Sequence, residues 1–415
     1  MRLQQQSRRS FEPCPLFLSL ETKKPSLLLC WNNESASVMV NSFSHAHGNF
    51  TATPTVFTSR DRIRMRTLIC SSLALVIVVF MAHPSAASAA QLKSSWDANP
   101  IPLTDAPYSC PDPPPFSKSL DVEGYYIDAH HSVIDPAKRE AYEKGSAPPT
   151  HLGQWSTEAA DAYLRRGSRA GAQCVYTLLS AAAVADAWSA AMPTGQAHYV
   201  QKWMLAGTAV AYLKVRRSGV GTPEQDKAIQ KWFGKVADRI EDYVDSKLKY
   251  PDSDAWNNHR YWSGLAVAAA GVARGDEREF HFGMDAFKAG INDIQPNGVL
   301  PREMARAGMA LHYHLYALAP LIMIAELAEA NGIDAYAQNN HALDRLVALC
   351  EQGLLHPEIF EKVTSVPQNM PDKIAGANIG WAVPWVRRHP DPQLSAWIAQ
   401  AEYTGFWQWG GLPPE

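Results

Sequence analysis

Three apolar segments, each headed by polar and aromatic residues, constrain this chain most. His198 to Arg217 opens His-Tyr-Val-Gln-Lys-Trp and continues through Met204 to Tyr212 with almost no charge. Trp256 to Arg274 opens Trp-Asn-Asn-His and runs apolar to Val272, and Leu311 to Ala330 opens Leu-His-Tyr-His-Leu-Tyr and runs apolar to Leu327. Each stops near a glycine, Gly219, Gly275 or Gly332, the usual helix-stop signal. A helix apolar all round must be buried, whereas one with a single apolar stripe faces solvent. Stretches of the second kind, Glu224 to Lys247 and Glu279 to Ile294, lie between the three. Buried helices alternating with amphipathic ones predict an all-α fold: an incomplete α/α toroid of inner and outer helices, with the polar heads of the inner ones lining one deep cleft. An α-solenoid is the alternative, but no repeat of about 34 or 40 residues is evident.

Residues 91–415 read as one domain; what precedes them reads differently. Residues 1–64 mix Ser, Thr, Asn, Pro and scattered charge without periodicity, so no packed core is expected there. Arg60 to Arg66 is basic, Leu68 to Met81 is almost purely apolar, and Ala86, Ser88 and Ala90 follow. That order is a secretory signal peptide, residues 65–90, starting at Met65 and cleaved between Ala89 and Gln91. The apolar run is short for a membrane span, so no membrane attachment is expected after cleavage. Residues 1–64 are then an extension upstream of a mis-assigned start.

Removing residues 1–90 takes nine Lys/Arg and four Asp/Glu, so the formal charge of -3 becomes -8. An acidic chain lacks the basic footprint of a nucleic-acid binder. It still accommodates a polyanion if its cations gather at one cleft. Cys110, Cys174 and Cys350 remain, in a chain exported to where thiols oxidise. Cys110 lies in the Pro-rich stretch Pro107 to Phe116 and Cys174 opens an apolar helix. A Cys110–Cys174 bridge is expected to staple the extended arm 91–123 to the body, with Cys350 a buried thiol.

Two clusters carry the chemistry. Trp256 to Trp262 packs two amides, an imidazole, a guanidinium and three aromatics into seven residues, the set that stacks on sugar rings and holds hydroxyls and carboxylates. The second runs from Gly298 to Tyr316 and holds Arg302, Glu303, Arg306, Tyr313 and two histidines. On a continuous helix Arg302, Arg306 and Tyr313 would share one face, with Glu303 an ion-pair partner for one of the arginines. His312 and His314 are two apart and do not share a face, so no metal site is expected in them, and no cofactor. The segment Gly124 to Ser132 is polar and aromatic without a helical stripe; its composition favours a connector over a flap.

These motifs resemble the polysaccharide lyase family 5 alginate lyases. The resemblance rests on Asn258-His259-x-Tyr261-Trp262, Asn297-Gly-x-Leu-Pro301-x-Glu303-x-x-Arg306, Ala310-Leu-x-Tyr313-His314-x-Tyr316 with Pro320 and Met323, and Asn331-Gly332. It is strongest from Lys202 to Gly332. It implies a periplasmic enzyme that cleaves 4-linked poly-β-D-mannuronate by β-elimination, leaving 4,5-unsaturated uronate ends. The family's catalytic residues fall on Asn258, His259, Arg306 and Tyr313. Asn258 and Arg306 would neutralise the uronate carboxylate, and Tyr313 would protonate O4. The C5 base is His259 or Tyr313. Substrate contacts are expected from Lys202, Trp203, Trp262, Arg302, Tyr125 and His314. The partner implied is an anionic uronate polysaccharide, alginate, with a monomer as the working unit.

This chain departs from the family pattern where Ala305 and Ala307 flank Arg306, and where His130 and His131 occupy a segment expected to be basic. Those departures open the preference to another uronan such as polyglucuronate. A glycoside hydrolase would need two acids astride the bond, and Asp254 and Glu303 are the two inside the clusters. A non-catalytic periplasmic binding or export component would need Arg306 and the aromatics, but not His259 or Tyr313.

Overall fold

The computed structural model describes residues 91–98 and 100–415, together with the backbone of two short strands near the N-terminus. The chain divides into two units, 1–86 and 87–415. In the first, β1 (Leu28–Asn32) pairs antiparallel with β2 (Ser35–Met39). The rest of the extension and the expected signal segment 65–90 lie outside the described residues.

Among its described residues the second unit is an extended arm as far as Asp135 and mainly helical from Pro136 onward, with only isolated bridges besides. α1 (Pro136–Arg166) starts behind the Asp135 cap, whose carboxylate accepts from the Lys138 amide at 3.0 Å. α2 (Arg169–Val184) follows a tight turn at Gly167, where φ is +66°. α3 (Gly195–Val215) is buried along nearly its whole length from Ala197. α4 (Pro223–Leu248) is amphipathic and begins with a reciprocal Thr222–Gln225 capping box, which satisfies two otherwise orphaned amides. α5 (Asn258–Arg274), α6 (Glu277–Asp293), the short α7 (Pro301–Met304), α8 (Ala310–Ala330) and α9 (Gln338–Leu355) follow in order. α10 (Glu358–Thr364), α11 (Ala382–Val386) and α12 (Pro392–Gln400) complete the set.

α1, α3, α5 and α8 pack in succession, each on the next, while α2, α4, α6 and α9 cover them from outside. This is the toroid the apolar segments predict, with α1 a fourth inner helix that sequence patterning did not separate out. Burial drives the arrangement: Met204 to Leu213, Leu265 to Val272 and Ala317 to Leu327 are all sealed from solvent, and apolar area removed from water is the main favourable term in folding. α5 and α6 come especially close. A Cβ on Gly264 would lie 2.4 Å from the Ala286 Cβ, and one on Gly283 would lie 2.4 Å from the Ala268 Cβ.

The C-terminal segment closes the gap between α8 and α1. Its 3₁₀ turn, Trp407–Trp409, packs on α1 and α3. A buried ion pair holds it: Lys214 Nζ lies 2.8 Å from Asp161 Oδ1, and Asp161 also accepts from Tyr403 and from the Leu412 amide. On the opposite flank Cys110 and Cys174 form a disulfide, Cα–Cα 5.4 Å, tying the extended arm to α2. Cys350 is a buried free thiol.

Candidate active site

The N-terminal turns of all four inner helices converge on one cleft of about 1000 Å³. Tyr142 comes from α1, Tyr199 and Trp203 from α3, His259 from α5, and His312, Tyr313 and Tyr316 from α8. Helix N-termini present partial positive charge. Arg139, Lys247, Arg302 and Arg306 add four cations to a lining that contains two acids, Asp252 and Asp254. An acidic chain has thus gathered its cations where a polyanion would lie.

Residues 124–134 form a flap over this cleft, not the connector their composition favoured. Tyr126 bridges Ile134, the Ile127 amide donates to Val133 O at 3.0 Å, and the Asp128 carboxylate accepts from the amides of His130, Ser132 and Val133. These amides hold the Asp128 carboxyl well below the usual carboxylate range. The flap is latched to the far wall by His130 Nδ1, 2.9 Å from Ala305 O. A carbonyl only accepts, so this nitrogen carries the proton.

Arg306 and Tyr313 do meet, but not along one continuous helix. The chain breaks between α7 and α8: Arg306 leaves the helical path, and Ala307 takes φ +51°. The break is pinned by Gln368, which donates to Ala307 O at 3.1 Å, and by the Asn369 amide, which donates to Gly308 O at 2.7 Å. It swings the Arg306 guanidinium over the Tyr313 ring, 4.8 Å from its centroid. Behind Arg306, buried Glu303 lies 3.8 Å from its Nε. The flap's Tyr126 lies beside Tyr313 in the cleft lining. Burial pushes the Tyr313 phenol up, while Tyr126 and the Arg306 charge pull it down.

His259 caps the opposite wall. Its imidazole stacks on Tyr199, centroids 3.7 Å apart and 14° from parallel. Burial holds its pKa well below the usual imidazole value, and the charges of Lys202, Arg306 and His131 push the same way. It is therefore neutral at physiological pH. Its Nδ1 is buried with no protein partner among the described residues.

Of the residues expected from sequence, His259, Arg306, Tyr313, Trp203, Arg302 and Tyr125 line the cleft. Four sit behind its wall instead. Trp262 is fully buried and donates to Tyr316 O at 3.2 Å, joining α5 to α8. His314 is fully buried, with Nδ1 2.7 Å from Ala310 O and Nε2 accepting from the Leu300 amide. Both nitrogens are used within the core, so it has nothing to offer a sugar. Lys202 is buried and donates to His259 O at 3.1 Å. Asn258 is also fully buried: its amide and its Nδ2 both donate to Glu303, at 2.8 and 3.0 Å, and it is Asn257 that reaches the cleft. As the first helical residue, Asn258 turns inward, while Asn257 caps the helix by accepting from the His259 amide at 2.9 Å.

Sequence reading missed Tyr126, Tyr199 and Gln408. Tyr199 had a signal, since it sits in the polar head of an inner helix. Gln408 had none: it reaches the cleft from the C-terminal turn and accepts from Tyr316 at 2.7 Å.

Comparison with known proteins decides the family. The family model described as alginate lyase matches residues 119–360. The chain belongs to the alginate lyase family. It is 40% identical over 286 residues to a polysaccharide lyase of Stenotrophomonas maltophilia (strain K279a), covering 68% of this chain and 83% of that one. It is 33% identical over 292 residues to an alginate lyase of Azotobacter vinelandii, covering 67% and 75% respectively. In fold this lyase is similar to alginate lyase A1-III from Sphingomonas species A1, with a TM-score of 0.62 at 24% identity over 78% of this chain and 88% of that one. A substituted form of that enzyme complexed with a tetrasaccharide superposes with a TM-score of 0.64 at 24% identity, covering 76% and 86%. The family spans the whole cleft except Gln408 and the C-terminal closure, which lie beyond residue 360.

Proposed function

We propose that the protein cleaves poly-β-D-mannuronate by β-elimination, leaving 4,5-unsaturated uronate ends, with Tyr313 as both base and acid. The observation that carries this reading is the placement of the Tyr313 ring, 4.8 Å beneath the Arg306 guanidinium and beside Tyr126 of the flap, in the same cleft as an uncharged His259. A histidine whose conjugate acid is this weak is a poor acceptor for a C5 proton. A tyrosinate is a far stronger base, and Arg306 and Tyr126 are the two groups that favour its formation.

The steps balance on one residue. The Tyr313 oxygen takes the C5 proton, and the C–H electron pair passes into the carboxylate as an aci-enolate. That electron pair then returns to form C4=C5, the C4–O4 bond breaks, and Tyr313 returns its proton to O4. In mannuronate the C5 hydrogen and O4 lie on the same side of the ring, so one group reaches both. Arg306 and His259 receive the carboxylate, where charge grows in the transition state. Asn258 serves through Glu303, which backs Arg306. Neither acid of the hydrolase alternative is free for that chemistry: Glu303 is sealed against Asn258, and Asp254 accepts from Tyr243 at 2.7 Å. We assign the mature chain to the periplasm on the leader-like pattern of residues 65–90.

The test is ultraviolet absorbance on incubating residues 91–415 with poly-mannuronate, poly-guluronate, polyglucuronate and hyaluronan. Absorbance growth on mannuronate that disappears in Tyr313→Phe is the expected result. Growth on another uronan alone moves the substrate, and silence on all four rejects the lyase reading.

A further inference from the structure

Lys202 stands out among the groups around the cleft because it is charged in water yet 2% exposed here, and no carboxylate lies within ion-pairing distance among the described residues. Burying an ammonium without a counter-ion is unfavourable, and a methionine would fill the same space. The contacts of Lys202 are specific. Nζ donates to His259 O at 3.1 Å and lies 4.4 Å from the centroid of the Tyr199 ring. The other face of this link is the Tyr199 ring itself, on which the His259 imidazole stacks. One ammonium thus touches both the backbone of His259 and the surface against which its ring rests.

We propose that Lys202 is a positioning residue for the elimination: from behind the cleft wall it pins the His259 carbonyl and the Tyr199 ring, and so sets the imidazole against the substrate carboxylate. This rests on the His259 role proposed above. Three groups turn positive charge toward the imidazole: Lys202 from α3, Arg306 from the break before α8, and His131 from the flap. Tyr199 covers one face of the ring, and Ser263 shares the His259 carbonyl, donating at 2.9 Å. Asp254, on the turn before α5, acts on Lys202.

The order of protonation follows from this arrangement. Burial brings the Lys202 amine down to about 7, whereas His259 is held well below 6.5. On acidification Lys202 gains its proton first, and that charge then opposes protonation of the imidazole. Above neutrality Lys202 is itself uncharged and its field vanishes, while its N–H bond to His259 O persists. The device therefore acts on the acid side of the activity profile.

The experiment combines two variants with two readouts. Lys202→Met removes both the charge and the hydrogen bond; Lys202→Gln keeps a donor toward His259 O and removes only the charge, and it carries the test if the methionine variant fails to fold. The first readout is the NMR titration of the His259 imidazole without substrate, assigned by comparison with His259→Ala. The second is the pH profile of kcat/KM on the uronan that the wild type cleaves. In both variants the imidazole titration and the acid limb are expected to move up together by about one pH unit. Lys202→Met is expected to lose roughly tenfold in kcat as well, from misplacement of the ring, with Lys202→Gln recovering most of that loss. Titration and acid limb unmoved from wild type in the variants overturn the proposal, as does a fall in kcat that is uniform across pH. If His259→Ala stays fully active, the proposed role of His259 falls instead. The substrate-free titration still decides whether Lys202 controls the imidazole.

Discussion

Replacing Tyr126 by phenylalanine tests the catalytic assignment with the smallest change to the cleft. Only the flap hydroxyl that pulls the Tyr313 phenol down is lost, while the flap itself is held by backbone bonds that the substitution does not touch. A hydrogen bond to a charged acceptor contributes about 1.5–3 kcal/mol and one to a neutral acceptor about 0.5–1.5 kcal/mol, so a bond from Tyr126 to the Tyr313 anion favours it over the phenol by about 1–1.5 kcal/mol. That difference corresponds to about one pH unit. Its sign is definite: the lost bond stabilised the ionised form, so the Tyr313 pKa rises further in the variant. The part of the kcat/KM profile that climbs with Tyr313 ionisation, above the range in which His259 titrates, moves to higher pH, and at a fixed pH there the rate falls roughly tenfold. The two profiles converge once pH exceeds both pKa values. Initial rates of ultraviolet absorbance growth across the neutral and alkaline range measure this directly, with circular dichroism as the check on folding. A loss that is equal at every pH would refute the reasoning, because Tyr126 would then only shape the cleft. An unchanged rate would show that Tyr313 ionisation does not limit the reaction.

Three further predictions concern the frame that holds the site. Gly207→Ala places a Cβ 2.4 Å from Trp407 O, so it should destabilise the fold by about 1–3 kcal/mol and raise KM by shifting Gln408; urea unfolding and steady-state kinetics read the two effects. Asp161→Ala strands the buried Lys214 ammonium, and a loss of about 3–5 kcal/mol is expected in the same unfolding assay. The Cys110–Cys174 bridge spans 64 residues, for which chain-entropy arguments give about 4 kcal/mol. Cys110→Ser should accordingly lower the thermal midpoint, and a reductant should then have no further effect.

The architecture was legible in the chain because burial leaves a mark on composition. Segments such as Met204–Tyr212 and Leu265–Val272 have no polar face to show water, so they can only be inner helices, and the polar heads before them can only gather at one end. Arg306, Tyr313 and His259 lie in or beside the polar heads where inner helices open, and it was the resemblance to the alginate lyase motifs that singled them out there. α1 reads in the sequence as a short helix from Pro136 to Lys144 and a separate one from Thr157, because Pro148 and Pro149 interrupt its pattern and its stripe is weak.

What the sequence by itself determined is therefore the helical toroid and the end of it that carries the chemistry. Only the tertiary structure decided which side chains face the cleft. Asn257 and Asn258 are neighbours of identical type, yet a helix start turns one outward and the other into Glu303, since adjacent helical residues point about 100° apart. His314 and Trp262 have the chemistry of a sugar site but spend their hydrogen bonds inside the core. Arg306 reaches Tyr313 because Gln368 and Asn369, about 60 positions along the chain, hold Ala307 in a left-handed turn. Gln408 enters the cleft on a segment anchored by Asp161, nearly 250 residues away. Local pattern carries no trace of partners so distant, because their energies exist only once the chain has closed on itself.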